Sequence, residues 1–336
     1  MGRTAIVMSG GGAKGAFELG AIDYLIKDKS IDPEVLVGVS TGTLNAVMLA
    51  QGKGREGLLE QLGRLKEIWF GIRENRDIYT TRFGGIFGLL FKADSLYSNR
   101  PLWRLIEKHV DPSKLKTSGR VLLIGVVELK SGEYFLVDGT QDSIREIVLA
   151  STAVPVAFNP VDIGTGRYVD GGVRDVTPLT AAITALEKLD GPPRDGDPDK
   201  IYVILASPLN PPKIGDKGKL DSGIDIGKRT LELIVNEIYR NDLLHASSIN
   251  EALAIMSKHP EEIPPDSPFA RYRYVDLAVI APDRLYMDSL SFRPDEIQGA
   301  FNGGRLAAAK ALAGIGRGPG INVDRRSLHR QESELK

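Results

Sequence analysis

"VLVGVSTG", Val35 to Gly42, reads as a buried strand that runs into G-x-S-x-G and then into a helix. This is the spacing of a nucleophile elbow, in which a strand turns sharply and presents a serine hydroxyl above the sheet. Gly38 and Gly42, two residues either side of Ser40, permit the close backbone approach such a turn requires. The hydroxyl then sits at a helix N-terminus, where the dipole and free N–H groups favour developing negative charge. G-x-S-x-G alone is a weak signal in a chain with 37 glycines, so its context must carry the argument.

That context includes "SGGGAKGA", Ser9 to Ala16, directly behind the strand-like run "TAIVM". Gly10, Gly12 and Gly15 make G-x-G-x-x-G, the phosphate-cradling turn of dinucleotide-binding proteins. That reading demands an acidic residue at the end of the next strand, about 20 residues on. The strand here ends on Ser40, and Asp32 and Glu34 lie before it, at its wrong end. A Walker-type loop fails as well, because Lys14 is followed by Gly15 rather than Ser or Thr. Attack by Ser40 on a carbonyl would create an oxyanion, and a triple-glycine turn on a neighbouring strand can offer it bare N–H donors.

A serine nucleophile needs a base, most often His. The four histidines, His109, His245, His259 and His329, have no strand-end loop setting; the first two are expected on helices and the last in the tail. Two aspartates do follow strands: Asp138 in "YFLVDGT" and Asp170 in "RYVDGGVRD". Asp-Gly is common in turns, so both can also be plain turn residues.

The rest of the chain sets bounds. With 336 residues, 42% apolar and 26% charged, it reads as a soluble globular protein able to bury a large core. A net charge of −1 argues against nucleic acid as the main partner, and the lack of cysteine excludes disulfides and thiol chemistry. The first strand starts within a few residues of Met1, which leaves no room for a signal peptide, and no apolar run is long enough to span a bilayer. A cytoplasmic protein is expected.

Strands are expected at Thr4–Met8, Val35–Val39, Val121–Leu129, Glu133–Val137, Ile201–Ala206 and Val275–Ile280. Helices are expected at Ala13–Lys27, Thr41–Gln51, Gly57–Phe70, Ser143–Ser151, Leu179–Leu189, Gly227–Met256 and Pro294–Ala313. In the first of these, Phe17, Ala21, Tyr24 and Leu25 form the apolar face, with Glu18, Asp23 and Lys27 opposite. Lys130-Ser131-Gly132 should close a hairpin. The alternation of strands and helices indicates a mostly parallel sheet covered on both faces. One domain over residues 1–313 and a flexible tail over 314–336 follow from composition.

The ordered set "GGGAKG", "GVSTG" and "YVDGG" resembles the patatin-like phospholipases. "LASTAVPVAFNPV" (Leu149–Val161) and "VTPLTAAI" (Val176–Ile183) extend the resemblance, so the motif-bearing core runs over residues 4–183. The resemblance implies a three-layer α/β/α fold and an acyl hydrolase with a Ser–Asp dyad, without catalytic His, metal or organic cofactor. It implies Ser40 as nucleophile, Asp170 as base, and Gly10, Gly11 and Gly12 as the oxyanion turn. Asp175 stands where family members often carry Asn. The implied substrate is a phospholipid, lysophospholipid or other acyl lipid. Two other readings stand beside this one: a Ser-His-Asp esterase or thioesterase of another family, and a non-catalytic lipid-binding protein on the same fold.

Peripheral membrane contact is a further expectation. "GGIFGLLF" (Gly84–Phe91) is apolar and glycine-hinged, and Gly71 to Arg120 holds ten Lys/Arg against five Asp/Glu. Such a combination suits an anionic bilayer, although a core helix flanked by solvated charges fits equally well.

Overall fold

In the computed structural model, which describes residues 2–82, 95–189, 198–211, 223–256 and 274–313, strands and helices alternate along the chain as the sequence pattern indicates. The chain begins with β1 (Thr4–Met8), the glycine turn and α1 (Gly15–Asp23), which continues as a π-helical segment, Tyr24–Asp28. Next come β2 (Val35–Gly38), α2 (Thr41–Ala50) and α3 (Gly54–Gly71). A small ribbon, β3 (Thr80–Thr81) and β4 (Tyr97–Ser98), precedes α4 (Arg100–His109) and α5 (Pro112–Thr117). β5 (Val121–Glu128) and β6 (Tyr134–Asp138) form the expected hairpin, and α6 (Ile144–Ser151) follows. β7 (Val161–Ile163), β8 (Gly166–Asp170) and α7 (Leu179–Lys188) come next. The last elements are β9 (Asp199–Ile204), α8 (Gly223–Met256), β10 (Val275–Ile280) and α9 (Pro294–Ala313).

Eight strands make one sheet in the order β10-β9-β1-β2-β5-β8-β7, with β6 also paired to β5. Pairing is parallel from β10 through β5 and antiparallel at β6, β8 and β7. Strand periodicity sorts the side chains into two cores. Ile6, Met8, Leu36, Ile124 and Ile204 face one side, against α1, α2, α3, α6 and α9. Ala5, Val7, Val37, Val203 and Leu277 face the other, against α7 and α8. The result is a three-layer α/β/α arrangement with a mostly parallel sheet.

The sheet register positions the site. Met8 at the end of β1 lies beside Gly38 of β2 and Ile204 of β9, so three parallel strands end level. The glycine turn after β1 and Ser40 after β2 therefore emerge side by side.

One expectation is corrected. Glu18 and Asp23 do not face solvent: they are 0% and 2% exposed, because α1 packs between α9 on one side and α2 and α3 on the other. Asp23 is matched there by Lys66, 2.9 Å away, with Arg305 and Lys27 also paired to it. Gly84–Phe91, His259, His329 and the tail after Ala313 lie outside the described residues.

Candidate active site

The elbow is built by close contact and backbone strain. Ser40 has φ 55° and ψ −131°, a left-handed conformation rare for a residue with a side chain. A Cβ at Gly42 would stand 2.4 Å from the Met8 carbonyl oxygen, so only glycine lets α2 come this close to β1. The strain at Ser40 is over-determined by its surroundings, as strained functional residues require. Its N–H donates to the Ser151 hydroxyl at 3.2 Å. Ser151 also shares a 2.8 Å hydrogen bond with the Thr43 hydroxyl and donates to the Gly125 carbonyl at 2.8 Å. Ser151 is fully buried and lies inside "LASTAVPVAFNPV", the segment ahead of the aspartate.

The structure separates the two aspartates. Asp138 is exposed and accepts from the N–H of Thr140 at 2.8 Å and from its hydroxyl at 2.6 Å, the geometry of a turn residue. Asp170 is 4% exposed at the end of β8, where it pairs with Val126 of β5. Its carboxylate stands within electrostatic reach of the Ser40 hydroxyl and accepts, at 2.8 Å, from the Gly172 N–H. Burial pushes it up to about 6, against the pull of those two groups. Nearby Asp175 accepts from the Thr177 N–H at 3.1 Å, and burial beside Asp242 pushes it up to about 6.

The glycine turn lies against Ser40, with Gly10, Gly11 and Gly12 all at positive φ. The N–H groups of Gly11, Gly12 and Thr41, the first residue of α2, have no partner among the described residues. Gly10 differs from the expectation: its N–H already donates to the Glu18 carboxylate at 2.7 Å. Glu18 accepts in addition from the Asn45 amide at 3.0 Å. Burial pushes the Glu18 carboxyl up to about 8. Sequence reading missed Glu18, Asn45, Thr41 and Ser151; the clue was polar residues in segments otherwise small and apolar.

Ser40 and Asp170 open onto a cavity of about 680 Å³. Its lining is mainly apolar and includes Leu44, Met48, Leu65, Trp69, Leu105 and Phe158, with His109 beside Ile106 and Val110. Polar groups line it too: the buried Lys14 ammonium donates to the Ser207 hydroxyl at 3.1 Å and lies 3.9 Å from Glu232. Burial holds the Lys14 pKa below its ordinary value, partly offset by Glu232 and Asp288.

The family model for "Patatin-like phospholipase" matches residues 6–183, more than half of the chain, and so spans the glycine turn, Ser40 and Asp170. The chain belongs to the patatin-like phospholipase family. A relative, "Probable lipid hydrolase 463L" of Invertebrate iridescent virus 6, is 22% identical over 193 residues, 53% of this patatin-like chain. The match spans 62% of that relative's length. Among solved structures, VipD from Legionella pneumophila aligns with 93% of this chain and 67% of its own, at TM-score 0.41 and 14% identity. The ExoU–SpcU complex of Pseudomonas aeruginosa aligns at TM-score 0.32 and 16% identity, over 77% of this chain and 58% of that one.

Proposed function

We propose that this protein is a serine acyl hydrolase that cleaves ester bonds of phospholipids, lysophospholipids or related acyl lipids, with Ser40 as nucleophile and Asp170 as base. The observation that carries the reading is the placing of the strained Ser40 and the buried Asp170, whose carboxyl is pushed up to about 6, together on the wall of one large, mainly apolar cavity. A carboxylate of ordinary pKa is a weak base, whereas burial brings this one closer to neutrality.

In this mechanism Asp170 takes the Ser40 proton as the hydroxyl oxygen bonds to the ester carbonyl. The tetrahedral oxyanion is held by N–H groups of Gly11, Gly12 and Thr41 at the start of α2. Collapse breaks the bond to the alcohol, which leaves with the proton from Asp170. Asp170 then takes a proton from water, whose oxygen attacks the acyl-enzyme, and returns it to Ser40 as the acid departs. The apolar lining of the cavity suits the acyl chain. Contact with an anionic bilayer belongs to the same reading and is supported by the excess of Lys/Arg between Gly71 and Arg120.

Labelling with a fluorophosphonate tests the chemistry. Stoichiometric modification of Ser40, lost in Ser40→Ala, is the expected result; an unlabelled folded protein would favour a lipid-binding role without turnover. A second reading, a Ser-His arrangement, has one observation behind it, the presence of His109 on the cavity wall. Folded His109→Gln with wild-type turnover would exclude it.

A further inference from the structure

Glu18 is fully buried on α1, yet it does not belong to the proposed dyad and has no role in its chemistry. Its two carboxylate oxygens are divided between two elements of the site. One accepts from the N–H of Gly10, at the head of the glycine turn, at 2.7 Å. The other accepts from the amide of Asn45, on α2 just beyond Ser40, at 3.0 Å. Asn45 in turn donates to the Gly15 carbonyl at 3.2 Å and accepts from the Trp69 indole at 3.0 Å. A single chain of hydrogen bonds thus links the glycine turn, the nucleophile helix and, through Trp69, the wall of the cavity.

The link acts where spacing is tightest. A Cβ on Gly10 would stand 2.7 Å from the Ser40 Cβ and 2.8 Å from the Thr41 nitrogen, so the turn lies against the nucleophile itself. Gly10, Gly11 and Gly12 follow one another at φ 70°, 145° and 63°, so a rotation at the first redirects the N–H groups of the next two. Fixing the Gly10 N–H therefore fixes the aim of the two that follow. Oxyanion donors stabilise charge only when preorganised, and small misplacements of such groups are costly in rate.

We propose that Glu18 is a positioning residue: by accepting the Gly10 N–H, it aims the Gly11 and Gly12 N–H groups at the oxyanion, and it leaves Gly10 itself out of the oxyanion hole. This rests on the hydrolase reading above. What matters is the acceptor facing Gly10, not the negative charge.

The test compares Glu18→Leu and Glu18→Gln in the full-length protein on a short soluble nitrophenyl ester, with kcat and KM measured separately and melting temperature alongside. Leucine has similar reach and no acceptor; it should lower kcat by about 10–100-fold and leave KM within about twofold. Glutamine keeps an oxygen for Gly10 and should restore kcat to within about threefold of wild type. Hydrogen exchange at the Gly10 amide should speed up in Glu18→Leu and stay slow in Glu18→Gln. A folded Glu18→Leu enzyme with wild-type kcat would overturn the proposal. If Glu18→Leu does not fold, Glu18→Gln decides: retained kcat with a slowly exchanging Gly10 amide supports it, and a kcat lowered about tenfold or more while that amide remains protected overturns it. A wild-type protein with neither turnover nor labelling of Ser40 would instead count against the hydrolase reading, and Gly10 exchange would still report on the hydrogen bond.

Discussion

Ser151 and Ser40, 111 residues apart in sequence, are joined by a hydrogen bond from the Ser40 backbone N–H to the Ser151 hydroxyl. That hydroxyl also bonds Thr43 and the Gly125 carbonyl, so it ties the strained elbow to α6 and to β5. Ser151→Ala would leave the buried Ser40 N–H and Gly125 carbonyl without that partner, at about 1–3 kcal/mol for each group left unsatisfied. The expected outcome is a lower melting temperature together with slower turnover, read by thermal unfolding and an ester assay. An unchanged melting temperature would show that the elbow holds its shape without Ser151.

Asp170→Asn should keep the fold and lose nearly all activity, since an amide cannot accept the Ser40 proton. Asp138→Asn should retain most of it, because Asn supports the same turn that Asp138 makes with Thr140. Both variants are compared by kcat and circular dichroism. Activity lost at Asp138 and kept at Asp170 would move the base.

The pH profile follows from Asp170. Its pKa is raised to about 6, and the base works only when ionised. As pH falls through 6, a growing fraction is protonated, so kcat/KM should drop about tenfold per pH unit below that point. Above it the acid limb should be flat. A limb centred near 4 would mean that burial does not shift the carboxyl in solution.

Gly11 offers the cleanest probe of the oxyanion turn. Its φ of 145° is one that L residues rarely adopt, while a Cβ there would meet Ala206 at 3.2 Å, a contact that small movements relieve. Gly11→Ala is expected to lower kcat by ~10²-fold and, because that φ strains alanine, to lower the melting temperature without unfolding the protein at assay temperature. Gly12 is a poorer choice, because a Cβ would stand 2.1 Å from the Ser289 carbonyl oxygen and push on a different loop. Near-normal turnover in Gly11→Ala would make the turn a structural element only.

The Tyr134 hydroxyl is buried beneath the site without a hydrogen-bond partner among the described residues. Asp170, Asp175 and Asp242 lie near enough to raise its pKa further beyond the effect of burial. Removing an orphaned polar group relieves its desolvation cost, so Tyr134→Phe should be neutral or raise stability by about 1–3 kcal/mol with activity retained. A destabilised variant in chemical denaturation would reveal a partner for that hydroxyl.

The elements that local pattern specifies were legible. The runs Thr4–Met8 and Val275–Ile280 are strands over those residues, and Pro294–Ala313 is a helix over those residues. The turn that carries Ser40 was legible through glycine spacing, and the place of Asp170 at the end of β8 through the "YVDGG" string. The two-residue β3 and β4 and the three-residue β7 were not, since such short strands exist through tertiary pairing rather than their own periodicity. Nor were Glu18 and Asp23 readable as buried: a helix wheel shows polarity, not whether a second layer covers the polar side. Local sequence separated Asp138 from Asp170 only weakly and the resemblance favoured Asp170; burial, which sequence does not encode locally, sets the two apart.

The order of strands in the sheet has a consequence for biosynthesis. Ser40, the glycine turn and Asp170 all lie within the first 170 residues to be translated, and β1 can pair with β2 at once. Its other edge belongs to β9, which in turn needs β10, so the central strand waits on residues up to Ile280. Until these emerge from the ribosome, β1 offers an open apolar edge of the kind that invites wrong pairing. A nascent chain stalled before β9 holds Ser40, the glycine turn and Asp170 and still lacks β9 and β10, the two strands that complete the parallel run of its sheet.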